Sequence, residues 1–189
     1  MSPCWDGLLD VWRSDWEPIG LPAAITLLSL FALIAGLEAA SAESWVPLLD
    51  SVNLVFHEAG HPLFGLFGWQ TLTILGGTFM QLLVPLLVAG SFGWKRQAGG
   101  FAFGCFWFFQ NFHNIGRYMA DARAGLLPLA GGGEHDWEAL FGAWGLLGRD
   151  VSIGHGVAIL GWLGMTGVAV WLGLRAWRVR PGRYPASRS

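Results

Sequence analysis

His57, Glu58 and His61 form an H-E-x-x-H motif, with Leu54, Val55 and Phe56 before it and Leu63, Phe64, Leu66 and Phe67 after. On a helix the two histidines lie about one turn apart on the same face, so both imidazoles reach one metal ion while Glu58 stands beside them. Zinc suits two imidazoles plus a third ligand, commonly a carboxylate, with the fourth position left for water. Bound zinc lowers the pKa of that water to about 7, and Glu58 can take its proton and hand it to a leaving amide nitrogen. The chemistry expected is metal-assisted peptide hydrolysis. The alternative is that the histidines only hydrogen-bond to neighbouring helices. A charge in the middle of a membrane helix costs roughly 2.5 to 3.5 kcal/mol on insertion scales and usually marks a functional site, which favours the metal.

Four residues compete for the third ligand. Gln110, Asn114, Arg117 and Asp121 recur at steps of four, three and four, which puts the Asp121 carboxylate on a polar helix face and ranks it first. An ion pair with Arg117 is its other use. His135 ranks second, since the flexible Gly131-Gly132-Gly133 connection could fold it over the metal, and His113 ranks third. Asp136 is available in the same way, although capping the following helix is an equal use for it. The expected site is therefore Glu58 as general base with His57, His61, Asp121 and His135 as candidate metal ligands. His155 is expected to be structural.

These residues need helices to hold them, and the composition says where the helices sit. The chain has 189 residues, of which 53% are hydrophobic and 13% charged, with a mean hydropathy of +0.47. That is too apolar for an ordinary soluble domain of this size. Many of the 12 tryptophans fall near the ends of apolar segments, as amphipathic rings do at headgroup level. The expected fold is all-α: a polytopic membrane helical bundle of about five transmembrane helices with an interfacial helix. The 11 basic residues form no patch interleaved with aromatics, so nucleic acid is not an expected partner. Cys4 and Cys105 are too isolated for a thiolate site or a disulfide framework.

Along the chain, residues 1–18 carry Leu8, Leu9, Trp12 and Trp16 at helical spacing and suit an interfacial N-terminal segment. A membrane-embedded domain follows over 19–177, and 178–189 make a basic cytoplasmic tail. The spans expected are Ala23 to Ala40, Pro47 to about Gly68, Thr71 to Gly93, about Gly99 to Ala122, and about Val151 to Trp177. In the second, Asp50, Asn53, His57 and His61 form a polar stripe that must face protein or water. Pro62 lacks the amide that would bond to the Glu58 carbonyl, and a local bend is expected there. The third is interrupted by Gly76-Gly77 and Pro85, with helix packing the expected use of the glycines. Between the last two, Trp137, Leu140, Phe141 and Trp144 have the spacing of an interfacial helix. Gly161, Gly164 and Gly167 suggest a packing seam. Placing Lys95-Arg96 and the basic tail inside puts the N-terminus outside and the C-terminus in the cytoplasm, in a bacterial-type inner or plasma membrane.

An H-E-x-x-H helix in a compact multi-span bundle resembles the site-2-protease-like intramembrane zinc metalloproteases. The likeness rests on His57, Glu58 and His61, and more loosely on Gly77 with Gln81, where that family has a glycine-to-asparagine spacing. That family presents its third ligand in an Asn-Pro or Leu-Asp-Gly setting, whereas this chain reads Ala120-Asp121-Ala122. The resemblance implies an enzyme that cleaves a transmembrane peptide substrate within the lipid bilayer. Two other readings remain: a non-catalytic membrane protein that holds its metal for a structural or assembly role, and a di-iron oxidase. The second needs clustered histidine pairs, and the chain has five histidines with none adjacent.

Overall fold

The computed structural model describes residues 15–40, 45–129 and 134–178, and every structural statement concerns these. They fold into six α-helices with no strand, as the apolar periodicity implies. In chain order these are α1 (Leu21–Ala40), α2 (Leu49–Gly65), α3 (Gln70–Trp94), α4 (Ala98–Ala120), α5 (Asp136–Ala143) and α6 (Asp150–Arg178), with a 3-10 turn at Leu147–Arg149 leading into α6.

Three stretches are long and apolar enough to cross a membrane: α1, α3 and Leu147–Arg178, with mean hydropathies of 2.0, 1.9 and 1.9. Their outward sides are oily, with Leu33, Leu87, Leu163 and Val170 all exposed. An apolar surface of this kind is stable against lipid and costly against water. The other two expected spans do not meet that standard: α2 is only 17 residues long, and both α2 and α4 carry polar side chains along one face.

Several sequence expectations shift in the structure. α2 continues past Pro62 to Gly65 and then turns through Gly68, whose φ of +71° is the left-handed backbone that glycine adopts without a Cβ penalty. α3 runs unbroken through Gly76, Gly77 and Pro85. The reason is packing: a Cβ on Gly60 of α2 would strike the Gly76 carbonyl, so the two backbones touch and the glycines serve the crossing. Of the expected seam on α6, Gly161 and Gly164 lie against α4 while Gly167 has open space. Gly154 joins them, facing Gly116. For the expected N-terminal interfacial segment, residues 1–14 lie outside the described residues, as do residues 179–189 of the expected basic tail. Trp16 is described and packs against Phe101 and Trp171 at centroid distances of 4.9 and 5.4 Å, so this ring serves the bundle itself.

α4 packs against α1, α3 and α6, and side-chain hydrogen bonds link its polar face to that of α2. Phe31 and Phe106 stack at 4.0 Å between α1 and α4. Beside this apolar contact, the buried Asp50 carboxylate is fully provided with donors. Its Oδ2 accepts from the Val46 amide at 2.6 Å, and its Oδ1 accepts from Gln110, Asn114 and Asn53 at 2.8, 2.9 and 3.2 Å. Gln110 Nε2 also donates to Glu38 Oε1 at 2.9 Å, and Trp107 Nε1 donates to Asn53 Oδ1 at 2.7 Å. Burying charge without such donors costs several kcal/mol, so this network pins α2 to α4 in one register. That register fixes the direction in which His57, one turn further along α2, projects.

Candidate metal centre

His57 and His61 project from α2 toward α3, and the helix crossing at Gly60 and Gly76 brings both rings against that neighbour. The ring centroids lie 4.9 Å apart. His57 Nδ1 donates to Gln81 Oε1 at 3.1 Å, and His61 Nδ1 donates to the Thr73 carbonyl at 3.0 Å. A carbonyl oxygen only accepts, so these two bonds place a hydrogen on each Nδ1 and orient each Nε2 the other way. Hydrogen bonds of this kind are the usual way in which a protein fixes the tautomer and aim of a metal-binding histidine.

Both Nε2 atoms point at one carboxylate oxygen. Asp136 Oδ2 lies 2.8 Å from His57 Nε2 and 3.4 Å from His61 Nε2. Ligand atoms of His57, His61 and Asp136 all fall within 4.8 Å of one another. With the rings neutral, two nitrogen lone pairs and an anionic oxygen converge on one point. That meeting is repulsive unless a cation sits among them or a proton is taken up by a ring or by the carboxylate. Gly77 supplies the floor: a Cβ there would lie 2.6 Å from His57 Nε2 and 2.8 Å from His61 Nε2. Only the absence of a side chain at this position leaves room beside the two nitrogens.

Asp136 takes the place that the sequence ranking gave to Asp121. Asp121 caps the end of α4, where its Oδ1 and Oδ2 accept from the amides of Leu126 and Leu127 at 3.0 and 2.9 Å as the chain turns away. His135 also stands outside the cluster. It is the N-cap of α5, its Nδ1 accepting from the Glu138 amide at 3.3 Å and its ring lying against Tyr118 at 4.1 Å. Burial pushes its pKa below the ordinary histidine value, against the opposite pull of Asp121 and Asp136. Because His135 caps the helix, Asp136 becomes the first helical residue and its carboxylate is released toward the histidines. His113 faces Glu38, with Nδ1 3.7 Å from Oε1, and His155 is exposed on α6.

The cluster opens into a cavity of about 660 Å³. Glu58 lines it and is itself exposed, together with Arg117, Tyr118 and the apolar Leu54, Ile115 and Leu127. A carboxylate next to a potential metal point and open to water can exchange protons with a reacting molecule. The covering helix α5 is held by Trp137, Leu140 and Phe141, which pack on Ile115 and Met119 of α4. Its apolar face is thus turned into the protein, and the amphipathic spacing reflects docking over the site.

No family model, no curated protein and no solved structure matches this chain.

Proposed function

We propose that this chain is an integral-membrane, zinc-dependent metallopeptidase of the H-E-x-x-H type, acting on peptide bonds in or near the bilayer. The observation that carries the proposal is the convergence of His57 Nε2, His61 Nε2 and Asp136 Oδ2 on one point, with both Nδ1 atoms already occupied. Two imidazoles and a carboxylate fit the three-ligand set of catalytic zinc sites, and the Gly77 floor leaves room for the ion. His57, His61 and Asp136 would hold it. When bound, zinc supplies Lewis acidity, lowering the pKa of a coordinated water to about 7 and polarising a carbonyl oxygen.

The chain's own groups account for the rest. Gln81 and the Thr73 carbonyl keep the imidazoles aimed, and Glu58 at the cavity wall receives the proton of the attacking water and returns it to the departing amide nitrogen. A helical substrate has its amides hydrogen-bonded internally, so it must unwind locally to present one to the site. The apolar cavity wall favours apolar side chains on either side of that bond. The proposal includes five spans, with α2 and α4 crossing as inner helices whose polar faces meet, and the positive charge of the Lys95-Arg96 loop and the tail is the ground for an N-terminus outside and a cytoplasmic C-terminus. The likeness to the site-2-protease-like family belongs to the same proposal and rests on His57, Glu58 and His61.

Purified protein in lipid vesicles is expected to cleave a co-reconstituted transmembrane peptide. The cleavage should stop with 1,10-phenanthroline and return when zinc is added back. Zinc bound without cleavage of any membrane peptide would instead support a structural metal, and iron in place of zinc would support an oxidative enzyme.

A further inference from the structure

Hydrolysis of an amide is accelerated by a hydrogen-bond donor aimed at the carbonyl oxygen as it becomes an oxyanion, and a fixed donor is among the larger contributions to such catalysis. Resting on the hydrolase function proposed above, we infer that Tyr118 is that donor. Its hydroxyl oxygen accepts from the backbone amide of Asp136 at 3.3 Å, so the phenol is held to the same residue that completes the metal cluster. The ring is clamped on one side by the His135 ring at 4.1 Å, and it stands edge-on to the His57 ring at 6.0 Å. Among the described residues the hydroxyl makes no other hydrogen bond, and its hydrogen is left for a molecule in the cavity that Tyr118 lines with Glu58.

A phenolic O–H is a hydrogen-bond donor that carries no charge. A neutral donor stabilises an oxyanion without giving up its proton. Gln81 also lines the cavity, where its carbonyl oxygen aims the His57 ring. Water oxygen adds to the amide carbon while Glu58 takes a proton, the carbonyl π pair moves to oxygen, and Tyr118 donates a hydrogen bond to it. As the C=O bond re-forms the C–N bond breaks, and the proton held by Glu58 passes to nitrogen, leaving a carboxylic acid and an amine.

The test compares the full-length parent with Tyr118→Phe, which keeps the ring and removes the hydroxyl, using two inhibitors built on the same N-acyl-dileucine scaffold. The phosphinic analogue presents a tetrahedral oxyanion, whereas the hydroxamate binds chiefly by chelation. Tyr118→Phe is expected to retain zinc and hydroxamate affinity while losing phosphinate affinity by roughly 100- to 1000-fold. Equal phosphinate affinity in the two proteins would overturn the assignment while leaving the hydrolase intact. Zinc loss in Tyr118→Phe would also overturn it, showing that the hydroxyl serves only to hold Asp136. A parent that takes up no zinc would remove the hydrolase function and this role together.

Discussion

Glu58→Gln is expected to lower peptide cleavage by on the order of 1000-fold while zinc stays bound at one ion per chain. Glutamine keeps the size of the side chain and its place on the cavity wall but cannot accept the proton of water. None of the bonds that aim the histidines involves Glu58: His57 relies on Gln81 and His61 on the Thr73 carbonyl. Metal binding and catalysis should therefore separate cleanly at this residue. The measurement is the initial rate of cleavage of a reconstituted transmembrane peptide, paired with metal analysis of the same sample. A variant that cleaves as fast as the parent would remove Glu58 from the mechanism.

Gly77→Ala should do the reverse and act on the metal. The added methyl would sit 2.6 Å from His57 Nε2 and 2.8 Å from His61 Nε2, closer than carbon and nitrogen approach without bonding, so both rings must swing away. Zinc affinity is expected to fall by about 100-fold, at the upper end of what misdirected histidines usually cost. Gly90 lies on the same helix, where a methyl group would meet nothing within 4 Å, and Gly90→Ala should leave zinc affinity unchanged. Alanine is the better helix former at both positions by roughly 1 kcal/mol, so loss of metal in Gly77→Ala could not be blamed on a weakened α3. Titration of the metal-free proteins with zinc reads the difference directly.

How much of this could be read from the residues depends on whether the signal was local. The four-residue spacing of His57 and His61 put both rings on one side of a helix, and the stripe of Asp50 and Asn53 below them correctly implied a polar partner face, which Gln110 and Asn114 provide. Periodicity reports what one helix presents, and it does so well. It does not report what covers that face. The spacing of Trp137, Leu140 and Phe141 suited a membrane interface, yet these residues are buried on Ile115 and Met119.

The third member of the His57–His61–Asp136 cluster was hidden for a related reason. Asp121 stood on the polar stripe of α4, but it falls where the helix ends and the chain's own amides at Leu126 and Leu127 capture it. Asp136 looked like a helix cap, and its release depended on His135 taking the cap by accepting from Glu138. One residue of difference in where α5 begins decides which side chain is spent on the helix end and which is left to face His57 and His61. The Thr73 carbonyl had no sequence signal at all, since any residue supplies one; only the α2–α3 crossing brings it to His61.

The most direct measurement is the zinc content of the purified parent beside that of Asp136→Ala and Asp121→Ala. One zinc per chain is expected in the parent and in Asp121→Ala, with zinc lost from Asp136→Ala. A parent without zinc, or full zinc retained in Asp136→Ala, would contradict the centre formed by His57, His61 and Asp136.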